Sequence, residues 1–253
     1  MDLEKAFEKK EKYLEENKQY RDQEALYHKH TTGKYIGDLI YGANDGIITT
    51  FAVVAGAAGA TLSPSIVIIL GFANLLADGI SMGASNFLGG KSEQDYAKAQ
   101  RQKEQWEIDH LREIEIDEIR DIFHKKGFRG NQLEEAVKII ISNRKVWVDT
   151  MMKEELGILE DETDDPKKHG LVTFIAFVVA GFVPLLPYLI PNIQNAFILS
   201  TIAGAITLFI VGALRSVVTA VTWLRGGVEM LLIGSLTAGV AYIVGAFIEQ
   251  LVH

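Results

Sequence analysis

Residues 65–107 read SIVIILGFANLLADGISMGASNFLGGKSEQDYAKAQRQKEQWE, and the change of character within them decides the fold. From Ser65 to Leu88 one charged side chain, Asp78, stands in an otherwise uncharged run; from Lys91 onward charged residues crowd together. The first part is long and apolar enough to cross roughly 30 Å of hydrocarbon as a helix. The second belongs in water. The segment therefore reads as a transmembrane helix continuing into an aqueous domain.

The same segregation holds along the chain. Of 253 residues, 48% are hydrophobic and 23% charged, and almost all the charge lies in residues 1–34 and 91–169. A soluble domain would interleave the two classes at helical or strand period. Five stretches qualify as spans: Ile36–Ala60, Ser65–Leu88, Leu171–Ile190, Ala196–Leu214 and Val228–Phe247. Pro64 marks a break between the first two, and Pro187 and Pro191 stop the third. Lys29, Lys34, Lys91, Lys167, Lys168, Arg215 and Arg225 all flank one side of these spans, while TLSPS, PYLIPNIQN and the C-terminal EQLVH hold no Lys or Arg. That asymmetry puts the N-terminus and the 91–169 segment in the cytosol and the C-terminus on the far side. The expected fold is all-α: an integral membrane protein of five transmembrane helices with an inserted three-helix cytosolic domain. Its organisation divides at 1–34 (an N-terminal cytosolic helix), 35–92 (spans 1 and 2), 93–169 (the cytosolic domain) and 170–253 (spans 3 to 5).

The net charge of −8 argues against nucleic acid and suits a cationic ligand, or merely a soluble domain. With no cysteine, disulfides and thiolate metal sites are excluded. Any transition metal must then use carboxylate, imidazole, thioether or carbonyl ligands. The charged N-terminus has no apolar core of a secretory signal and reads as a solvated helix, with His28 and His30 at the membrane edge.

Carboxylates at bilayer depth are costly and point to function or to pairing. Asp38 and Asp45, seven apart, share one face of the first span. Asn74, Asp78 and Met82 form one stripe on the second. A carboxylate, an amide oxygen and a thioether in line suit a dehydrating Fe²⁺ or Mn²⁺; polar glue between helices is the competing reading. Gly42 and Gly46, and Gly79 and Gly83, form GxxxG patterns that point to close packing of these two helices together, within the chain or across a two-fold axis.

The cytosolic segment holds a helix running on from the second span, with Gly127 ending it or a successor. A helix over Gln132–Ser142 is N-capped by Asn131, and one over Val146–Leu156 is ended by Gly157. Glu104 and Glu107, and Glu115 and Glu118, sit at helical spacing, with residues 107, 111, 115 and 118 along one stripe. Met151, Met152 and Glu155 lie on the last helix. A fold-back would bring them to the glutamates as a metal site; solvated acids and gap-filling methionines are the plain alternative. Glu107–His110 forms a single ExxH, half of what a di-iron bundle needs.

The runs YGANDGIITTFAVVAGAAGA (41–60), FANLLADGISMGASNFLGGKSE (72–93) and WVDTMMKEELGI (147–158) resemble the vacuolar iron transporter family of plants, fungi and microbes over roughly residues 36–250. The resemblance implies a transporter rather than an enzyme, with no prosthetic group. It implies a homodimer whose path lies between subunits, and Fe²⁺, with Mn²⁺ or other divalent metals, moved out of the cytosol against protons. It places Asp38, Asp45 and Met82 at pore positions. It places Glu104, Glu107, Glu115, Glu118, Met151, Met152 and Glu155 at cytosolic metal-binding positions. The host compartment would be the plasma membrane of a prokaryote or the vacuolar membrane of a eukaryote. The family often carries a glutamate where this chain has Asn74, and Asp78, one turn on, is expected to supply that charge. The rival reading is a membrane-anchored metal-binding or ferroxidase-type protein working through the cytosolic domain.

Overall fold

The computed structural model describes residues 34–159, 164–217 and 221–252. The expected helix over residues 1–30, with His28 and His30, lies outside them. The described residues are all-α. Five helices are long and apolar enough to cross a membrane: α1 (Ile36–Gly59), α2 (Pro64–His110), α6 (Pro166–Phe182, continued as a 3₁₀ turn over Val183–Leu189), α7 (Ala196–Leu214) and α8 (Trp223–Val252). Three shorter helices, α3 (Arg112–Lys125), α4 (Gly130–Ile141) and α5 (Arg144–Glu154), lie between α2 and α6. The chain forms two compact units, one of Ser85–Lys167 and one of the described residues on either side of it.

The membrane unit has an interior made by close approach. Gly42 faces the Thr173 carbonyl and Ala176, and Gly46 lies directly on the backbone of Phe177. A Cβ at Gly46 would collide with main chain that cannot give way, so glycine is required for α1 and α6 to touch. Gly79 and Gly83 also meet α6, at Phe174, Phe177 and Val178 and at Gly170 and Phe174. The two GxxxG faces thus pack on the third span, and α6 is the common partner of α1 and α2. Val54, Val67, Leu75, Phe177, Leu185 and Tyr188 fill the space beside this contact. The outer face of α8 is the reverse, with Leu232, Leu236, Ile243 and Phe247 exposed at helical spacing. Such a surface belongs against lipid.

α6 tightens after Phe182 because Pro184 and Pro187 cannot donate to an α-helical ladder. The Pro184 carbonyl is satisfied instead by the Ser200 hydroxyl of α7 at 2.6 Å.

The second unit has its own core: Ile108, Ile119, Leu133, Val137, Trp147, Val148, Met151 and Met152. α2 does not run on to Gly127. It breaks at Leu111 (φ −121°, ψ 32°), where neither glycine nor proline stands. The reason is tertiary. On a straight helix Ile108 and Ile119 would be about 16 Å apart, and the bend lets both enter one core. Gly127 terminates the successor helix, α3, at positive φ, the second of the two expected alternatives. α4 begins two residues before expectation, at Gly130 (φ 53°), so Asn131 sits in the first turn and Arg129 is the cap. α5 is capped by Asn143, whose side chain accepts from the amides of Lys145 and Val146 at 3.0 and 3.3 Å. Gly157 (φ 67°) closes it, and the Ile158 amide returns to the Met152 carbonyl at 2.8 Å.

Candidate functional site

Glu104 projects from α2 on the face that carries Ile108, and Glu115 from α3 on the face that carries Ile119. Both isoleucines are core residues, so both carboxyl groups are drawn inward. Glu104 is 2% exposed and Glu115 3%, and one carboxylate oxygen of each, Oε2, has no hydrogen-bond partner. Burial, followed by the charge of Glu155 and then of Glu107, pushes Glu104 up to about 7. Burial, followed by Glu118, Glu104, Glu107 and Glu155, pushes Glu115 up to about 7. Glu155, at the C-cap of α5, is raised by burial and then by Glu118 and Glu107.

These mutual effects put all five glutamates within one electrostatic neighbourhood although the break at Leu111 divides the expected stripe between two helices. Met151 and Met152 are 0% and 1% exposed in the adjoining core. Among the described residues no three His, Asp or Glu side chains stand close enough to close around an ion. The cluster is gathered and open.

Ion pairs fix the helices that bear it. Arg101 of α2 bonds Asp149 of α5 at 2.7 Å, and Arg144 of α5 bonds Asp109 of α2 at 2.6 Å. The Arg112 guanidinium lies 4.8 Å over the buried Trp147 ring. His110, the histidine of the ExxH, is engaged by Trp106. Its Nδ1 lies 2.8 Å from the Trp106 carbonyl, and its ring stacks on Trp106 at 4.4 Å.

In the membrane unit, Asp45 and Asp78 are near enough for their charges to interact. The Asp45 carbonyl accepts from the Thr49 hydroxyl at 2.8 Å. Asn74 keeps a buried, unpartnered Nδ2, and Asn44 Oδ1 and Thr50 Oγ1 are likewise buried without partners. Met82 is half-buried against the Leu75–Phe177 cluster. Asp38 is held by His169, with Nδ1 to Oδ2 at 2.5 Å, and Tyr35 packs on that imidazole at 4.7 Å. His169 escaped the sequence reading because it is 131 positions from its partner. Glu229 of α8 was also missed; Arg215 and Arg225 bond it at 3.3 and 2.9 Å. Its i,i+4 spacing from Arg225 was the available signal.

Comparison with known proteins agrees with this architecture. The model of the VIT family matches residues 36–246, from the start of α1 into the last turns of α8. Vacuolar iron transporter 1 of Arabidopsis thaliana is 35% identical over 224 residues, covering 87% of this chain and 88% of its own length. The vacuolar iron transporter of Toxoplasma gondii is 34% identical over 235 residues, 89% of this chain and 78% of its own. That of Plasmodium berghei is 33% identical over 251 residues, 94% and 92% respectively. With the match running through all five spans and the helices inserted between them, the chain belongs to the VIT family.

Proposed function

We propose that this chain transports Fe²⁺, and Mn²⁺ or similar divalent ions, out of the cytosol in exchange for protons, working as a homodimer with the path between its subunits. The observation that carries this reading is the glutamate cluster. Two carboxylates almost wholly buried, each with an oxygen lacking any partner, cost folding free energy unless a cation or a proton compensates them. Three more carboxylates share their field. Oxygen ligands with adjoining thioethers suit Fe²⁺ and Mn²⁺.

The proposed cycle uses these residues. Glu104, Glu107, Glu115, Glu118 and Glu155, with Met151 and Met152 beside them, collect the ion from the cytosol and draw together around it. The ion then passes Asp38 to a stretch where Asp45, Asn74, Asp78 and Met82 replace its water ligands in turn. Asp45 and Asp78 carry like charge close to one another, so a cation between them is favourable. Protons arriving from the far side compete for the same oxygens and release the metal.

The test is Fe²⁺ flux into proteoliposomes holding a metal-quenched dye, with and without an imposed pH gradient. The reading expects flux that rises when the lumen is the more acidic side and collapses when the gradient is removed. Flux indifferent to the gradient would end the exchange mechanism; absence of flux for every divalent ion tried would end the transport reading.

A further inference from the structure

Lys103 precedes Glu104 and stands one helical turn before Glu107, and its Nζ lies 3.3 Å from Glu107 Oε1. Three basic side chains nearby meet carboxylates outside the cluster: Arg101 meets Asp149, Arg144 meets Asp109 and Lys126 meets Glu154. Lys103 sets its charge on one of the candidate metal ligands. We propose that Lys103 is a tethered cation that stands in for part of the metal's charge in the metal-free cluster, so that a divalent ion loads only by displacing it. This rests on the glutamate cluster being the metal-collecting site.

Two features make the exchange workable. The Lys103 side chain is 59% exposed on a four-carbon stem, so its ammonium can swing into water at little cost. Its bond to Glu107, Glu107's charge, and then those of Glu104 and Glu155 act on it together, so it answers to three of the five glutamates. A monovalent ion offers the glutamates no more charge than the ammonium already there. A divalent ion does, and Lys103 thereby raises the threshold for loading and biases it toward double charge.

The experiment is calorimetric titration of the full-length, detergent-solubilised protein with Mn²⁺, which resists oxidation, comparing the parent with Lys103→Gln and Lys103→Arg. Lys103→Gln should tighten binding about threefold at about 50 mM salt, in line with a partly exposed pair. Lys103→Arg should match the parent, and the difference should fade at about 0.5 M salt. Glu107→Gln should weaken binding and abolish the effect of Lys103→Gln when the two are combined. Unchanged or weaker binding in Lys103→Gln, with Glu107→Gln weakened as expected, overturns the tethered-cation role alone. Mn²⁺ affinity untouched by Glu107→Gln overturns the cluster reading and this role with it.

Discussion

Metal loading by the cytosolic cluster should be steeply pH-dependent across neutrality. Glu104 and Glu115 are each pushed up to about 7, whereas ordinary glutamates ionise well below that. A divalent ion needs both as carboxylates. At pH 6 each is about one-eleventh ionised and at pH 8 about ten-elevenths, so the required form becomes about tenfold rarer per group on acidification. For the two together, affinity should fall about a hundredfold between pH 8 and pH 6. Titrating the solubilised protein with Mn²⁺ at both values, in buffers of different ionisation enthalpy, measures affinity and proton release together. Close to two protons should leave per ion at about pH 6 and about one near pH 7. The metal-free protein should behave oppositely. A carboxyl group whose folded value is raised stabilises the fold at pH below its unfolded value, and that contribution is lost as pH rises through about 7. Mildly acidic conditions should therefore raise the unfolding temperature without metal and lower the stabilisation that metal confers. An affinity constant within twofold from pH 6 to pH 8, with no proton released at pH 6, would refute the burial argument.

Asp78→Asn should cut Fe²⁺ flux in liposomes at least about tenfold if Asp78 carries the charge that Asn74 lacks; parent-like flux would show that it does not. Metal should slow amide hydrogen exchange across residues 104–118, because closing the glutamates orders both sides of the break at Leu111, and equal exchange with and without Mn²⁺ would count against that closure. Ser200→Ala should cost about 1–3 kcal/mol of stability by stranding the buried Pro184 carbonyl, read as a lowered unfolding temperature in detergent, with a shift below about 1 °C rejecting it.

The spans were legible because a bilayer demands uniform apolarity, a property of composition rather than of distant contacts. α7 coincides with its expected bounds, Ala196–Leu214. α8 begins earlier than the apolar run does because Arg225 and Glu229 neutralise each other across one turn. The break at Leu111 was not legible. It answers to Ile108 and Ile119 converging on Trp147 and the methionines, a demand set by residues some forty positions away. The glutamate spacing pointed to a shared face, but the inward turn of Glu104 and Glu115 depends on that same core. The partner of the GxxxG faces was misjudged because small-residue spacing announces a close approach without naming what approaches. Asp38 met its histidine only in three dimensions.

Met151 and Met152, with 0% and 1% of their surface open to solvent, have a chemical consequence as well as a structural one. Ferrous iron and peroxide together generate species that turn thioethers into sulfoxides, and a sulfoxide is too polar to stay among Trp147, Ile108 and Ile119. In the metal-free protein packing shields both sulfurs from peroxide in bulk water, so damage there must wait for the helices to part. The pace of sulfoxide formation is thus a clock for how often this domain opens, and each tick leaves it less able to close.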